Sequence, residues 1–151
     1  MLAGCTVEED PAEKTGPVST SPLQGTVEGT AFVAKSARAK KGFDDGERSI
    51  EIYEGTVTCK DFAPEEKRKI IFSVPWKTGT ARDFKFALGG DGQTATFVIK
   101  RESQTDNVIS TQGRVEIIDA PTEAGAMGKI RLRAVARENN VEGEIAVEVC
   151  E

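Results

Sequence analysis

The sequence predicts an all-β domain: an antiparallel β-sandwich, immunoglobulin-like in general architecture, of about 8–9 short strands, with a small β-barrel as the alternative. Three observations predict it. From Leu23 onward, apolar residues recur with period two and not with the 3.6 of a helix. Glycine, proline and paired polar residues interrupt these runs at short intervals. The one helical signal is a single capped turn beginning at Asp61.

The elements follow in chain order. Thr30 to Ala39 alternates as one strand, with Ala31, Val33 and Lys35 on one face and Phe32 and Ala34 on the other. Lys40 to Gly46 turns the chain. Arg48 to Tyr53 sends Ile50 and Ile52 inward, and Thr56 to Cys59 reads as a further strand after Gly55. Asp61-Phe62-Ala63-Pro64-Glu65-Glu66 supplies the short helical turn. Lys69 to Val74 is a buried strand ended by Pro75-Trp76. Phe84 to Leu88 and Thr94 to Lys100 flank a Gly-Asp-Gly turn and predict a hairpin. A short strand at Val108 to Ser110 precedes a surer one at Gly113 to Ile118.

The last two strands carry the clearest pattern. Lys129 to Arg137 places Ile130, Leu132, Ala134 and Ala136 on one face and Lys129, Arg131 and Arg133 on the other. Asn139-Asn140 turns the chain, and Val141 to Cys150 sends Ile145, Val147 and Val149 inward with Glu142, Glu144 and Glu148 outward. Paired as a hairpin, these strands set opposite charges across from each other. That arrangement specifies register and adds up to about 1 kcal/mol per pair.

The composition narrows the function. The chain has 151 residues, a net charge of −5 and no histidine. The acidic balance argues against a nucleic-acid partner, which needs a basic footprint. Lacking histidine, the chain has no histidine-based triad, and the commonest metal ligand is missing. No catalytic residue, metal site or cofactor is nominated, and the expectation is a protein that is not an enzyme. The acidic turn Asp44-Asp45-Gly46-Glu47 and Asp91 lack calcium-loop spacing and read as solvated turns.

The chain begins Met1-Leu2-Ala3-Gly4-Cys5. Leu2-Ala3-Gly4-Cys5 resembles the lipobox of bacterial lipoproteins, in which the cysteine carries the lipid. The resemblance covers these four residues, and the charged and apolar regions that precede a lipobox in that family are not part of the sequence. It implies that residues 1–5 are a signal remnant ending in a lipidated Cys5 and that the protein is extracytoplasmic and membrane-anchored. Thr6 stands where an inner-membrane retention signal would put aspartate, which implies the outer membrane of a Gram-negative bacterium. Residues 6–22 are polar and turn-rich and read as a flexible tether with a reach of about 20–25 Å. Residues 23–151 then form one β domain.

With Cys5 assigned to lipid, Cys59 and Cys150 remain. In an extracytoplasmic protein two such cysteines are expected to pair as a disulfide. Trp76 and Tyr53, the only tryptophan and the only tyrosine, are the candidate binding residues, with a core role as the competing reading for Trp76. The leading expectation is a binding or structural accessory to another cell-envelope protein. The alternative is a glycan-binding module for peptidoglycan or surface polysaccharide that uses Trp76 or Tyr53 as a stacking platform.

Overall fold

The computed structural model describes residues 14–88 and 91–151. The described residues form eleven strands: β1 (Gln24–Val27), β2 (Thr30–Val33), β3 (Ser36–Lys41), β4 (Glu47–Tyr53), β5 (Arg68–Pro75), β6 (Ala81–Asp83), β7 (Ala95–Lys100), β8 (Thr105–Ser110), β9 (Gln112–Asp119), β10 (Met127–Ala136) and β11 (Asn139–Val149). The all-β class is the one expected. The pairing, however, yields one mixed sheet where two separate sheets were expected, in the order β6-β9-β10-β11-β3-β4-β5-β7-β8. β1 pairs with both β11 and β2.

The shape follows from that order. β8 and β9 are separated only by Thr111, yet β8 ends the sheet on one side and β9 is next to the last strand on the other. The sheet therefore has to curl until its two ends meet. Ser110 sits at the bend and is fully buried. Its Oγ lies 2.9 Å from the carbonyl oxygens of Gln112 and Val135, and it accepts a hydrogen bond from the Val135 N–H at 3.1 Å. One hydroxyl thus satisfies backbone groups that a continuous ladder would have paired.

The core lies inside the curl. Ile50 and Ile52 of β4, Ile70, Phe72 and Val74 of β5, Phe97 of β7, Ile130 and Leu132 of β10, and Val147 and Val149 of β11 belong to one buried cluster. These are the inward positions that the period-two pattern marks. β10 and β11 pair in the expected register, with Arg131 opposite Glu144 and Arg133 opposite Glu142. Arg131 Nε lies 2.8 Å from Glu144, and Arg133 Nε lies 3.0 Å from Glu142.

Several elements depart from expectation. The predicted strand 30–39 is broken at Ala34-Lys35 into β2 and β3, because Lys35 N bonds to Tyr53 O while Ala34 N bonds to Leu23 O. Residues 54–67 contain neither the strand nor the helical turn expected there and form one long loop. Gly89 and Gly90 of the predicted hairpin turn lie outside the described residues, and among the described ones its two arms meet in a bridge between Lys85 and Gln93. The β10–β11 turn uses Arg137-Glu138, with Arg137 at φ 55°, and Asn139 opens β11. The Asn139 side chain accepts from Glu28 N and donates to Ala136 O, which gives this buried residue a bridging role in place of a turn position.

The N-terminal segment also differs. Cys5 and residues 6–13 of the expected tether lie outside the described residues. Residues 14–22 run along the outer face of β10 and β11. Val18 is buried there, and Arg133 donates to the carbonyls of Lys14, Gly16 and Pro17. Glu142 accepts from Ser19 N and from Lys14 Nζ. The same cross-strand ion pair that sets the hairpin register therefore also holds this strap. Gly143 (φ +147°) lets the strap approach: a Cβ there would lie 2.5 Å from Ser21 O and 2.6 Å from the Leu23 backbone.

Candidate functional site

The loop of residues 54–67, between β4 and β5, has no hydrogen-bonded ladder of its own, so side chains and a disulfide hold it. Ser36 Oγ donates to Gly55 O at 2.6 Å and accepts from Val57 N at 2.9 Å. Arg38 donates through Nη1 to Thr58 O at 2.9 Å and to Asp61 O at 2.6 Å. Thr58 N donates back to Asp61 Oδ2 at 2.8 Å, and Cys59 N donates to Glu148 Oε2 at 3.1 Å. Cys59 is bonded to Cys150, as expected from their being the two cysteines left over, and the bridge ties the loop to the end of β11.

Arg38 can grip the loop because its own position is fixed from below. It projects from β3 onto the sheet's outer face, where β4 presents Glu51 and Tyr53. Arg38 Nε donates to Glu51 Oε2 at 2.7 Å, and Nη2 lies 3.3 Å from Tyr53 Oη, which itself donates to Glu51. The guanidinium carbon lies 5.6 Å from the Tyr53 ring centroid, and Lys69 Nζ lies 5.9 Å from it. Burial pushes the Glu51 carboxyl up, but hydrogen bonds from Tyr53 and Arg38 and the charges of Arg38 and Lys40 outweigh it, so its pKa falls below the usual carboxylate value. Burial and the adjoining Glu51 carboxylate both push the Tyr53 phenol up. The network keeps Glu51 ionised and Tyr53 neutral, a stable charge pattern under a loop.

What the loop presents is Phe62, whose side chain is 99% exposed. It forms one wall of a cleft of about 660 Å³ that also reaches Lys40, Lys41, Lys60, Gly125 and the disulfide. Glu148 and Asp61, the acids on this cleft beside Glu151, are engaged by Cys59 N and Thr58 N. The cleft thus sets an aromatic face beside the ammonium groups of Lys41 and Lys60, with the Asp61, Glu148 and Glu151 carboxylates also on it and Lys40 drawn to Glu51 at 3.4 Å.

The residues nominated from sequence fall elsewhere. Trp76 is 8% exposed, and its Nε1 donates to Pro121 O at 2.8 Å. Tyr53 is fully buried beneath the loop. Neither ring offers a face for stacking, so the platform role expected of both is replaced by a core role for Trp76 and a loop-supporting role for Tyr53. Phe62 was missed because a phenylalanine in a polar run carries no local mark of exposure. In the basic run Lys67-Arg68-Lys69 that ends the loop, Arg68 is also structural. Arg68 pairs with Glu54 and donates to the carbonyls of Val27 and Ala31, so it joins the loop to the β1–β2 hairpin.

Comparison with models of known protein families, with curated proteins and with solved structures found no match to this chain.

Proposed function

We propose that the protein is a non-enzymatic binding module of the cell envelope, anchored through a lipid on Cys5, whose β domain docks another envelope protein through the Phe62 loop. The observation that carries this reading is the pairing of a fully exposed aromatic ring with a rigidly fastened loop. Single exposed apolar residues are ordinary on protein surfaces. Phe62 differs because a buried arginine, a serine hydroxyl and a disulfide prevent its loop from folding back to cover it. Burying such a ring gains about 1.5–3 kcal/mol. In this loop the gain is left for a partner, and ordering the loop on binding costs little.

The chemistry of the cleft describes that partner. An apolar side chain beside Phe62, with an acidic group within reach of Lys41 or Lys60, would complement it. The lipobox-like start supports the anchorage, and the disulfide is compatible with an oxidising compartment. Anchorage is tested by metabolic labelling with a fatty-acid analogue: incorporation that disappears in Cys5→Ser supports it, and an unlabelled wild type sinks it. Docking is tested by cross-linking the full-length protein in its native envelope. A stoichiometric partner that is lost in Phe62→Ala and weakened in Lys60→Glu is the expected result. Equal recovery of that partner with Phe62→Ala would overturn the assignment of this loop.

A further inference from the structure

On the outer face of β4, β5 and β7, beyond the part covered by the Phe62 loop, lies a groove of about 380 Å³. Its floor carries three hydroxyls beside Ile71. Ser49 pairs with Ser73 across β4 and β5, and Thr96 of β7 stands opposite Ile71 of β5. Among the described residues these three hydroxyls make no side-chain hydrogen bond. The contrast with the outer face of β10 and β11 is plain, since the arginines and glutamates there neutralise one another. One wall of the groove is Phe43, at the tip of the β3–β4 hairpin and 101% exposed. The opposite side carries Arg82 and Gln93.

Gln93 is the informative residue. It is 3% exposed, and its Nε2 is held by Ser73 O at 2.9 Å and Thr94 O at 3.1 Å. Both amide hydrogens are thereby used and the rotamer is fixed. No described residue donates to its Oε1. A buried side chain thus holds an acceptor at the edge of a hydroxyl-lined groove.

The topology disfavours one class of occupant. β4 is paired along both edges and β7 by β5 and β8, while β5 pairs with β7 only over Arg68 to Ile71. Beyond that, the Ser73 carbonyl on the β5 edge is taken by Gln93 Nε2, so an extended peptide could add to the sheet there only by displacing Gln93. The groove's chemistry is a flat apolar ring face, several hydroxyls beside Ile71, one amide acceptor, one guanidinium and the Glu47 carboxylate. That combination suits a polyhydroxylated ring with an apolar C–H face.

We propose that this groove is a carbohydrate subsite for an acetamido-bearing pyranose, an N-acetylhexosamine unit of a glycan, with Phe43 against the sugar face and Gln93 Oε1 accepting the acetamido N–H. The site is separate from the Phe62 loop and does not depend on that loop's role.

The test is a titration of the isotope-labelled protein with the N-acetylglucosamine trimer, followed through backbone amide shifts, with the unacetylated glucose trimer as control. Shifts should cluster at Ser49, Ser73, Gln93 and Thr96. Phe43→Ala should weaken binding about tenfold without changing the unfolding midpoint, and Phe43→Trp should strengthen it. Phe62→Ala should leave it unchanged. The proposal is overturned if millimolar trimer moves no amides, if the shifts map to the Phe62 cleft, or if Phe43→Ala and Phe43→Trp both bind like wild type. Equal binding of the two trimers would overturn the acetamido assignment.

Discussion

Removing Arg38 would leave the Tyr53 oxygen and two loop carbonyls without their donor, and Glu51 with Tyr53 and Lys40 as its remaining partners. Breaking a buried ion pair on one side costs about 3–5 kcal/mol where the remaining charge is left unpaired. Because Lys40 still reaches Glu51, Arg38→Ala is expected to lose less, about 2–3 kcal/mol in urea unfolding. Arg38→Lys should not restore it, since a single ammonium cannot bond Glu51, Thr58 and Asp61 together. A loss under 1 kcal/mol for Arg38→Ala would show that the loop is held mainly by the disulfide. Trp76 gives a milder test. Trp76→Phe keeps most of the packing and removes the bond to Pro121 O, an expected cost of about 1 kcal/mol plus the lost area. The wild-type indole should emit at the short wavelengths of a buried ring. At this scale little of the candidate site was legible. Tyr53 and Trp76 are visible in the sequence as residue types, but burial depends on which distant loop covers them.

The strap of residues 14–22 rests on one carboxylate. Burial pushes Glu142 up, but hydrogen bonds from Arg133, Lys14 and Ser19 N together with the Arg133 charge outweigh it, and its pKa falls to about 2. A carboxyl whose folded pKa lies below its unfolded value stabilises above the unfolded value and loses that contribution as pH falls toward the folded one. The contribution of Glu142 should therefore be complete at neutral pH and vanish between about pH 4.5 and about pH 2. Because the pair is reached by water, its size is set at about 1 kcal/mol. Comparing wild type with Glu142→Gln in denaturant at neutral and acid pH checks this: the difference should close on acidification. A difference that stays constant would mean Glu142 acts through packing alone. The β10–β11 hairpin was legible as an element because alternating charges on both strands allow only one register that pairs them. The break at Ala34-Lys35 was not, because it is made by bonds to Leu23 and Tyr53 that no local pattern encodes.

For the molecule as a whole, the disulfide closes a loop across a separation of 91 residues. The chain-entropy account gives such a closure about 4–5 kcal/mol. A domain of this size has about 5–15 kcal/mol in total. Reduction, or Cys59→Ser with Cys150→Ser, should therefore lower the urea midpoint substantially, and an unchanged midpoint would rule the linkage out as a main support. The all-β class was legible here because period two runs through most of the chain. The single curled sheet was not, since β3 meets β11 in parallel across the length of the domain and neither strand signals its partner. That meeting has a consequence for synthesis. β11 fills the place between β10 on one side and β1 and β3 on the other. A growing chain that has not reached residue 139 carries two open strand edges facing a gap, the condition under which nascent sheets stick to one another. The native sheet can close only once β11 has been made, so the domain gains from being held unfolded until that last strand is available.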